Sequence, residues 1–172
     1  MKVDKTIRPK GINHKKRLID HLVMELEANY KMALTAAKRA HTTATDKENI
    51  AENKYDTLGL EAAYLAHGQA KRASECGAEL QAVQHLPVVA LSSTDAIVVG
   101  TFVSIIDQNE QQLLLFLAPV AGGLKFKFEG KSIVVVTHSS PLGKSLLGRF
   151  VDDEFELATG PNKKIYRISD IY

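Results

Sequence analysis

The chain has 172 residues, a formal net charge of +2 and one cysteine, Cys76. This length is enough for one or two small domains, and a single cysteine excludes an intramolecular disulfide. The start of the chain lacks the apolar core of a signal peptide. No apolar run approaches the roughly 20 residues that a membrane-spanning helix needs. We therefore expect a cytoplasmic protein that does not insert into a membrane.

Positive charge is concentrated at the start of the chain. Residues 1–17 contain seven Lys or Arg residues and a single acidic residue, Asp4. This composition predicts a flexible basic arm ahead of the first helix. Such an arm can contact nucleic acid or an acidic protein surface, or it can serve only as a solvated tail.

The next part of the chain has the residue spacing of a coiled coil. Steps of three and four alternate along a first series, which is apolar except at Asn29: Ile19, Leu22, Leu26, Asn29, Ala33, Ala36 and Ala40. A second series is made mostly of alanine: Ala63, Ala66, Ala70, Ala73, Gly77 and Leu80. Small residues allow two helix backbones to approach closely. The pattern therefore predicts a long antiparallel α-helical coiled-coil hairpin.

An acidic segment near residues 44–56 separates the two series and forms the predicted tip of the hairpin. Thr45-Asp46-Lys47-Glu48 has the form of a capping box. It predicts that the first helix ends near Thr42 and that the second begins near Asp46. Glu48 and Glu52 would then lie one turn apart on one helix face. Carboxylate oxygens in such a cluster are the ligands that Mg²⁺ prefers.

The pattern changes from helical to extended around residues 83–88. Stretches rich in Val, Ile, Leu and Phe, separated by turn residues, predict strands over 88–91, 97–106, 111–117, 124–128, 132–137, 154–158 and 164–171. Between them, Ser140 and Pro141 have the residue types of an N-cap and a first helical position. The sequence thus predicts an α+β protein, with a hairpin domain over 1–85 and an antiparallel sheet with one short helix over 86–172.

Motifs in the second half resemble those of the bacterial Gre-type transcript cleavage factors. Residues 140–148, Ser-Pro-Leu-Gly-Lys-Ser-Leu-Leu-Gly, are similar to the family signature Ser-Pro-hydrophobic-Gly-x-Ala-Leu-hydrophobic-Gly. An acidic strand opening (Asp152-Asp153-Glu154-Phe155) and a closing Tyr166-Arg167-Ile168 follow in the family order. The resemblance implies a coiled-coil hairpin followed by an FKBP-like domain, similar to the FK506-binding-protein fold.

The tip departs from the family pattern. Gre-type factors have the motif Asp-x-x-Glu-Asn-x-Glu-Tyr, whereas here Glu48-Asn49 follows Asp46 after one residue instead of two. A second partial match, Glu52-Asn53-Lys54-Tyr55, has lysine in place of glutamate. The resemblance is therefore to a divergent branch of the family.

The resemblance implies a transcription elongation factor that binds RNA polymerase as a monomer. Its hairpin tip would enter the secondary channel and stimulate Mg²⁺-dependent cleavage of backtracked nascent RNA, beside the RNA and DNA of the elongation complex. Asp46, Glu48 and Glu52 would act in the active site of the polymerase, with Asp46 and Glu48 on the metal. The residues expected to hold the polymerase are Ser140, Pro141, Leu142 and Gly143.

Two alternatives remain open. A non-catalytic regulator could occupy the same channel, and the irregular spacing at the tip favours that interpretation. A prolyl isomerase or chaperone module would follow from the FKBP-like fold alone, but a fold does not determine a function.

Overall fold

The computed structural model describes residues 12–46, 57–89, 91–92, 94–159 and 162–172. The elements in chain order are α1 (Ile12–Ala44), α2 (Leu58–Gln84), β1 (Phe102–Asp107), β2 (Gln112–Ala118), β3 (Lys125–Phe128), β4 (Lys131–Thr137), α3 (Pro141–Leu146), β5 (Glu154–Thr159) and β6 (Asn162–Ile171). The protein is α+β, as predicted. No helix in the described residues is long and apolar enough to cross a membrane.

The chain forms two compact units. The hairpin unit is Val23–Gln84, and the sheet unit joins the start of the chain up to Leu22 with His85–Tyr172. The long helix α1 therefore contributes its first turns to the sheet unit and the remainder to the hairpin unit.

The hairpin unit consists of two antiparallel helices. A Cβ atom at Gly77 of α2 would lie 3.2 Å from Cε2 of Tyr30 in α1, so the glycine leaves room for the ring. Further along, Ala37 of α1 lines a groove together with Ala66 and Ala70 of α2. Higher-numbered residues of α1 thus face lower-numbered residues of α2, so the two helices are antiparallel. This confirms the predicted hairpin.

The contact stripe of α1 follows the predicted series, whereas that of α2 is shifted in places. Leu26, Ala33 and Ala40 of α1 are buried. On α2, however, Ala63 and Ala70 are exposed, so the predicted series is wrong at these positions. Buried and half-buried side chains instead follow steps of four and three through Ala62, Ala66, Gln69, Ala73, Cys76, Leu80 and Val83. Gln69 occupies one stripe position, whereas the next residue, Ala70, is exposed. Residue type alone therefore does not show which side of α2 faces α1.

The sheet has six strands in the order β3-β4-β2-β1-β6-β5. Neighbouring strands are antiparallel, except that β2 and β4 run parallel. The sheet is thus mixed, because the β3–β4 hairpin folds back and places β4 next to β2. The described residues between Gln84 and Phe102 form no strand, so the strand predicted at 88–91 is not found there and β1 begins five residues later than predicted.

Both faces of the sheet are buried. One face carries the cluster of Val103, Ile105, Leu115, Leu117, Phe155 and Ile168, and Leu146 of α3 packs into it. Phe126 and Phe128 point to the opposite face, since side chains alternate along a strand. The ring of His14 lies 5.2 Å from that of Phe128, and the ring of His21 lies 5.8 Å from that of Phe126. The first turns of α1 therefore cover this second face.

This packing corrects the expectation of a flexible basic arm over residues 1–17. Residues 12–17 belong to α1, and residues 1–11 lie outside the described part of the chain. Lys15 is only 5% exposed, and Nζ donates a hydrogen bond to the carbonyl oxygen of Val89 at 2.7 Å. Leu18 and Leu22, which lie on the same side of the helix, are fully buried. The start of α1 is thus part of a core.

Candidate functional sites

Asp46 lies two residues after Ala44, the last residue of α1, and is exposed. The hydroxyl of Thr45 donates to the carbonyl oxygen of His41 at 2.9 Å, and the backbone N–H of Thr45 donates to the same oxygen at 3.0 Å. Thr45 therefore closes α1. A helix C-terminus is the negative end of the helix dipole. Asp46 adds a carboxylate there. The carbonyl groups at the helix end and this carboxylate both attract cations.

The second helix starts later than the capping box predicted. α2 begins at Leu58, and the preceding residue, Thr57, donates its hydroxyl to the carboxylate of Glu61 at 3.0 Å. α2 therefore does not run without a break from Asp46, as the capping box predicted, because Thr57 is not helical. Of the predicted tip carboxylates, Asp46 is described, whereas Glu48 and Glu52 lie outside the described residues. Their relation to Asp46 stays a prediction.

The ligand chemistry at the described end of α1 suits a hard cation. Mg²⁺ takes oxygen ligands, commonly one or two carboxylates with several waters, and Asp46 supplies one such carboxylate. Among the residues that the structure describes, no three His, Cys, Asp or Glu side chains are grouped to hold a metal.

The signature segment at residues 140–143 forms the predicted start of α3. The Ser140 hydroxyl accepts a hydrogen bond from the N–H of Gly143 at 3.1 Å and donates one to the carbonyl oxygen of Thr137 at 2.7 Å. Pro141 is exposed at the first helical turn. Leu142 is half-buried against the core cluster. The hydroxyl of Ser140 is thus committed to the local fold, and Pro141 is the exposed member of the four predicted docking residues.

Gly143 is required by a close backbone approach. A Cβ atom at this position would overlap the carbonyl oxygen of Thr137 and press on the Cα atom of His138. Only glycine lets α3 lie directly against the end of β4. Gly143 is buried, so its contribution to any partner contact is through the position it gives to α3.

The segment after α3 is joined to β6 by hydrogen bonds and an ion pair. Asp152 has a φ of 70°, a conformation that Asp tolerates better than most residues. Its carboxylate lies 3.3 Å from Nη1 of Arg167. The N–H of Asp152 donates to the carbonyl oxygen of Ile168, and the N–H of Ile168 donates to that of Asp153. The acidic opening and the closing Tyr-Arg-Ile segment, far apart in sequence, are therefore neighbours.

Arg149 closes the outer side of β5. Its Nε donates to the carbonyl oxygen of Ser145 at 2.6 Å, and Nη1 donates to that of Glu154 at 3.1 Å. The guanidinium carbon lies 5.5 Å from the ring centroid of Phe155. These contacts fix the turn between α3 and β5 against the sheet.

Two apolar side chains near this turn remain exposed. Leu147 and Phe150 have relative exposures of 38% and 47%. The sequence interpretation placed partner contacts on residues 140–143, and that assignment stays a prediction.

Comparison with solved structures finds similar chains among transcription factors. The crystal structure of GreA factor homolog 1 (Gfh1) of Thermus thermophilus has 18% sequence identity, with 92% of this chain and 94% of that chain covered and a TM-score of 0.38. Thermus aquaticus Gfh1 has 21% sequence identity, with 87% of this chain and 92% of that chain covered and a TM-score of 0.37. The prokaryotic transcription elongation factor GreA/GreB from Nitrosomonas europaea has 17% sequence identity, with 65% of this chain and 91% of that chain covered and a TM-score of 0.36.

These structure neighbours are Gfh1 and GreA/GreB proteins. No family model matches the chain. No curated protein sequence matches it.

Proposed function

We propose that this protein is a Gre-like transcription elongation factor that binds RNA polymerase through its sheet unit and inserts the end of its hairpin into the secondary channel. The observation that carries the proposal is the hairpin unit itself. Two long antiparallel helices meet along alanine and glycine, and an exposed carboxylate, Asp46, stands at the end of the first. The signature segment at residues 140–148 supports the same assignment.

The dimensions of the hairpin suit entry into a channel. The part of α1 within this unit spans roughly 33 Å at 1.5 Å per residue, and each helix with its side chains is about 10–12 Å wide. Ala73 is buried, and Gly77 leaves room for the Tyr30 ring, so small side chains fill part of the space between the helices. A pair packed in this way is slender, as an inserted element must be.

The end of the hairpin would contribute oxygen ligands to the polymerase active site. Asp46, with Glu48 and Glu52, would hold a Mg²⁺ ion, which when bound activates water for hydrolysis of a phosphodiester. The carbonyl end of α1 adds negative potential next to Asp46 and so favours a cation there. The role of this chain is to deliver and orient carboxylates, beside the nascent RNA and the DNA that the polymerase holds.

A cleavage assay on backtracked elongation complexes tests the proposal. The unmodified protein should increase Mg²⁺-dependent release of the RNA 3′ fragment. The double variant Asp46→Asn with Glu48→Gln should lose this stimulation while it still binds core RNA polymerase, since the docking contacts lie in the other unit. Glu27→Gln, which changes an exposed carboxylate near the opposite end of the hairpin unit, is the matched control and should leave both properties unchanged.

A non-catalytic factor that occupies the same channel is the second candidate. It is favoured by the spacing of the tip residues, in which Glu48-Asn49 follows Asp46 after one residue instead of the two that the Gre-type motif has. In that case the unmodified protein would release no RNA and would compete with an active cleavage factor. Failure to bind core RNA polymerase at all would contradict both candidates.

A further inference from the structure

Three lysines lie on the hairpin that β3 and β4 form. Lys125 and Lys127 are exposed on β3, and Lys131, the first residue of β4, is half-buried. We call these three residues the hairpin lysines. β3 comes first in the strand order of the sheet, so its outer side has no partner strand among the described residues. The hairpin lysines therefore stand at an open edge of the sheet.

The hairpin lysines have no acidic neighbour across the two strands. Their partners in register are uncharged: Val134 for Lys125, Ser132 for Lys127 and Phe128 for Lys131. None of the three lysines forms an ion pair with another residue that the structure describes. Their positive charge is therefore not compensated within the ladder.

The one carboxylate of this hairpin is occupied by other groups. Glu129 lies in the turn between the two strands, and its oxygens are 3.0 Å from Nε2 of His14 and 3.1 Å from Nη2 of Arg17. Residues 125–137 contain no other acidic side chain. Because α1 supplies the partners of Glu129, this carboxylate is not needed by the hairpin lysines and does not cancel their charge.

We propose that the hairpin lysines bind the phosphate backbone of double-stranded nucleic acid. Lys125 and Lys127 are two residues apart on one face of β3, which separates their Cα atoms by about 6.6–6.8 Å. Neighbouring phosphates along a nucleic-acid strand have a similar spacing, so each can receive one ammonium group. Ser132 is exposed beside Lys127, and its hydroxyl is a further donor of the kind that contacts phosphate.

The same hairpin offers no side chain on which an unpaired base could stack. Proteins that bind single strands commonly use exposed aromatic rings for this purpose. The two aromatic residues of β3, Phe126 and Phe128, are buried. Contact would therefore be limited to the backbone and would not depend on base sequence. A duplex suits such a contact, because its phosphates lie outside and its bases are paired within.

Binding of the full chain to a short fluorescent DNA duplex at several salt concentrations tests this inference without RNA polymerase. Each lysine that contacts a phosphate contributes about 0.9 to the slope of log K against log salt concentration. The double variant Lys125→Gln with Lys127→Gln should therefore bind more weakly and reduce the steepness of this slope by about 1.8. Adding Lys131→Gln should reduce it further. Two duplexes of different sequence should give the same result.

Lys163→Gln is the matched control. Lys163 is also an exposed strand lysine, but its Nζ lies 2.6 Å from a carboxylate oxygen of Glu156. The change should leave the salt slope as it is in the unmodified chain. The double variant Lys125→Arg with Lys127→Arg keeps the charge and should preserve duplex binding. Thermal melts establish that every variant is folded.

Two results would overturn the inference and leave the proposed function standing. If the glutamine variants bind the duplex with unchanged affinity and salt slope, or if the unmodified chain binds no duplex, the hairpin lysines serve only to protect an open sheet edge. If the glutamine variants instead lose affinity for core RNA polymerase that holds no nucleic acid, while duplex binding stays unchanged, the partner of this hairpin is an acidic protein surface.

Discussion

The side-chain ammonium of Lys15 donates a hydrogen bond to the backbone carbonyl of Val89, 74 residues further along the chain. This bond joins the first turns of α1 to the segment that leads from α2 into the sheet. It is also an unusual place for a lysine, because the side chain is almost completely removed from solvent. Burial lowers the pKa of Lys15 from 10.5 to about 8.

The lowered pKa of Lys15 predicts a rise in stability at alkaline pH. Between about pH 8 and 10.5 the unfolded chain keeps the proton that the folded chain releases, so the free energy of unfolding increases with pH. Relative to Lys15→Met, the free energy of unfolding of the unmodified protein should increase by roughly 1–3 kcal/mol over this pH range. Chemical unfolding at several pH values measures the difference. Lys16→Met, at the exposed neighbouring position, should produce no such trend.

Glu129 should stabilise the fold at neutral pH and not in acid. Its carboxylate oxygens lie 3.0 Å from Nε2 of His14 and 3.1 Å from Nη2 of Arg17. The hydrogen bond with His14 is the main cause that lowers the pKa of Glu129, and Arg17 adds to it. A lowered carboxyl pKa contributes stability above its ordinary value of 4.5, and this contribution is lost as pH falls through the folded-state pKa.

Glu129→Gln should therefore lower the unfolding free energy at pH 7 by about 1 kcal/mol or less, since the pair is partly exposed. The difference from the unmodified protein should vanish as the pH falls through the lowered pKa of Glu129. Glu110→Gln is the control, because Glu110 is also an exposed turn residue with positive φ. A Glu129 effect that persists unchanged in acid would contradict the ion-pair explanation.

The position of the α2 stripe can be tested with two alanines three residues apart. Ala73 is 6% exposed, whereas Ala70 is exposed at the side of the groove. Ala73→Leu should cost about 1–3 kcal/mol, because three added carbons must enter a filled space. Ala70→Leu should change stability by about 0.5 kcal/mol or less. Equal effects in urea unfolding would place the stripe elsewhere.

Gly143 and Gly68 should respond oppositely to alanine. Gly143→Ala forces a methyl group onto the carbonyl oxygen of Thr137 and should cost roughly 3 kcal/mol. A Cβ atom at Gly68, inside α2, meets no atom within 4 Å. Gly68→Ala should therefore stabilise the protein by up to about 1 kcal/mol, since alanine is the better helix former. Thermal melts of both variants measure the two signs.

Elements that depend on local chemistry were predictable from the sequence. The cap of α3 follows from the hydroxyl of Ser140 and the ring of Pro141, and it forms as expected. The hairpin turn after β1 follows from Asp107, whose carboxylate accepts hydrogen bonds from the N–H groups of Asn109 and Gln111. In each case the interacting groups lie within four residues of each other.

Features that depend on distant partners were not predictable. The parallel pairing of β2 with β4 requires knowledge of where the β3–β4 hairpin folds. Lys15 is buried although a charged side chain is expected to be exposed. The one sequence signal for its burial is that it lies four residues before Ile19, the first residue of the coiled-coil series in α1. At the hairpin end, Thr45 has the residue type of an N-cap, but its hydroxyl bonds to the helix that precedes it. Sequence alone does not distinguish these two uses of threonine.

The contact between Arg149 and Glu154 has a consequence for the open sheet. A six-stranded sheet that does not close has two edges, and an unpaired edge invites a strand from another molecule. On β5, the arginine already occupies the carbonyl oxygen of Glu154. The opposite edge, β3, is four residues long and exposes Lys125 and Lys127. An incoming strand would meet an occupied acceptor on one side and two positive charges on the other, so this sheet resists growth by strand addition.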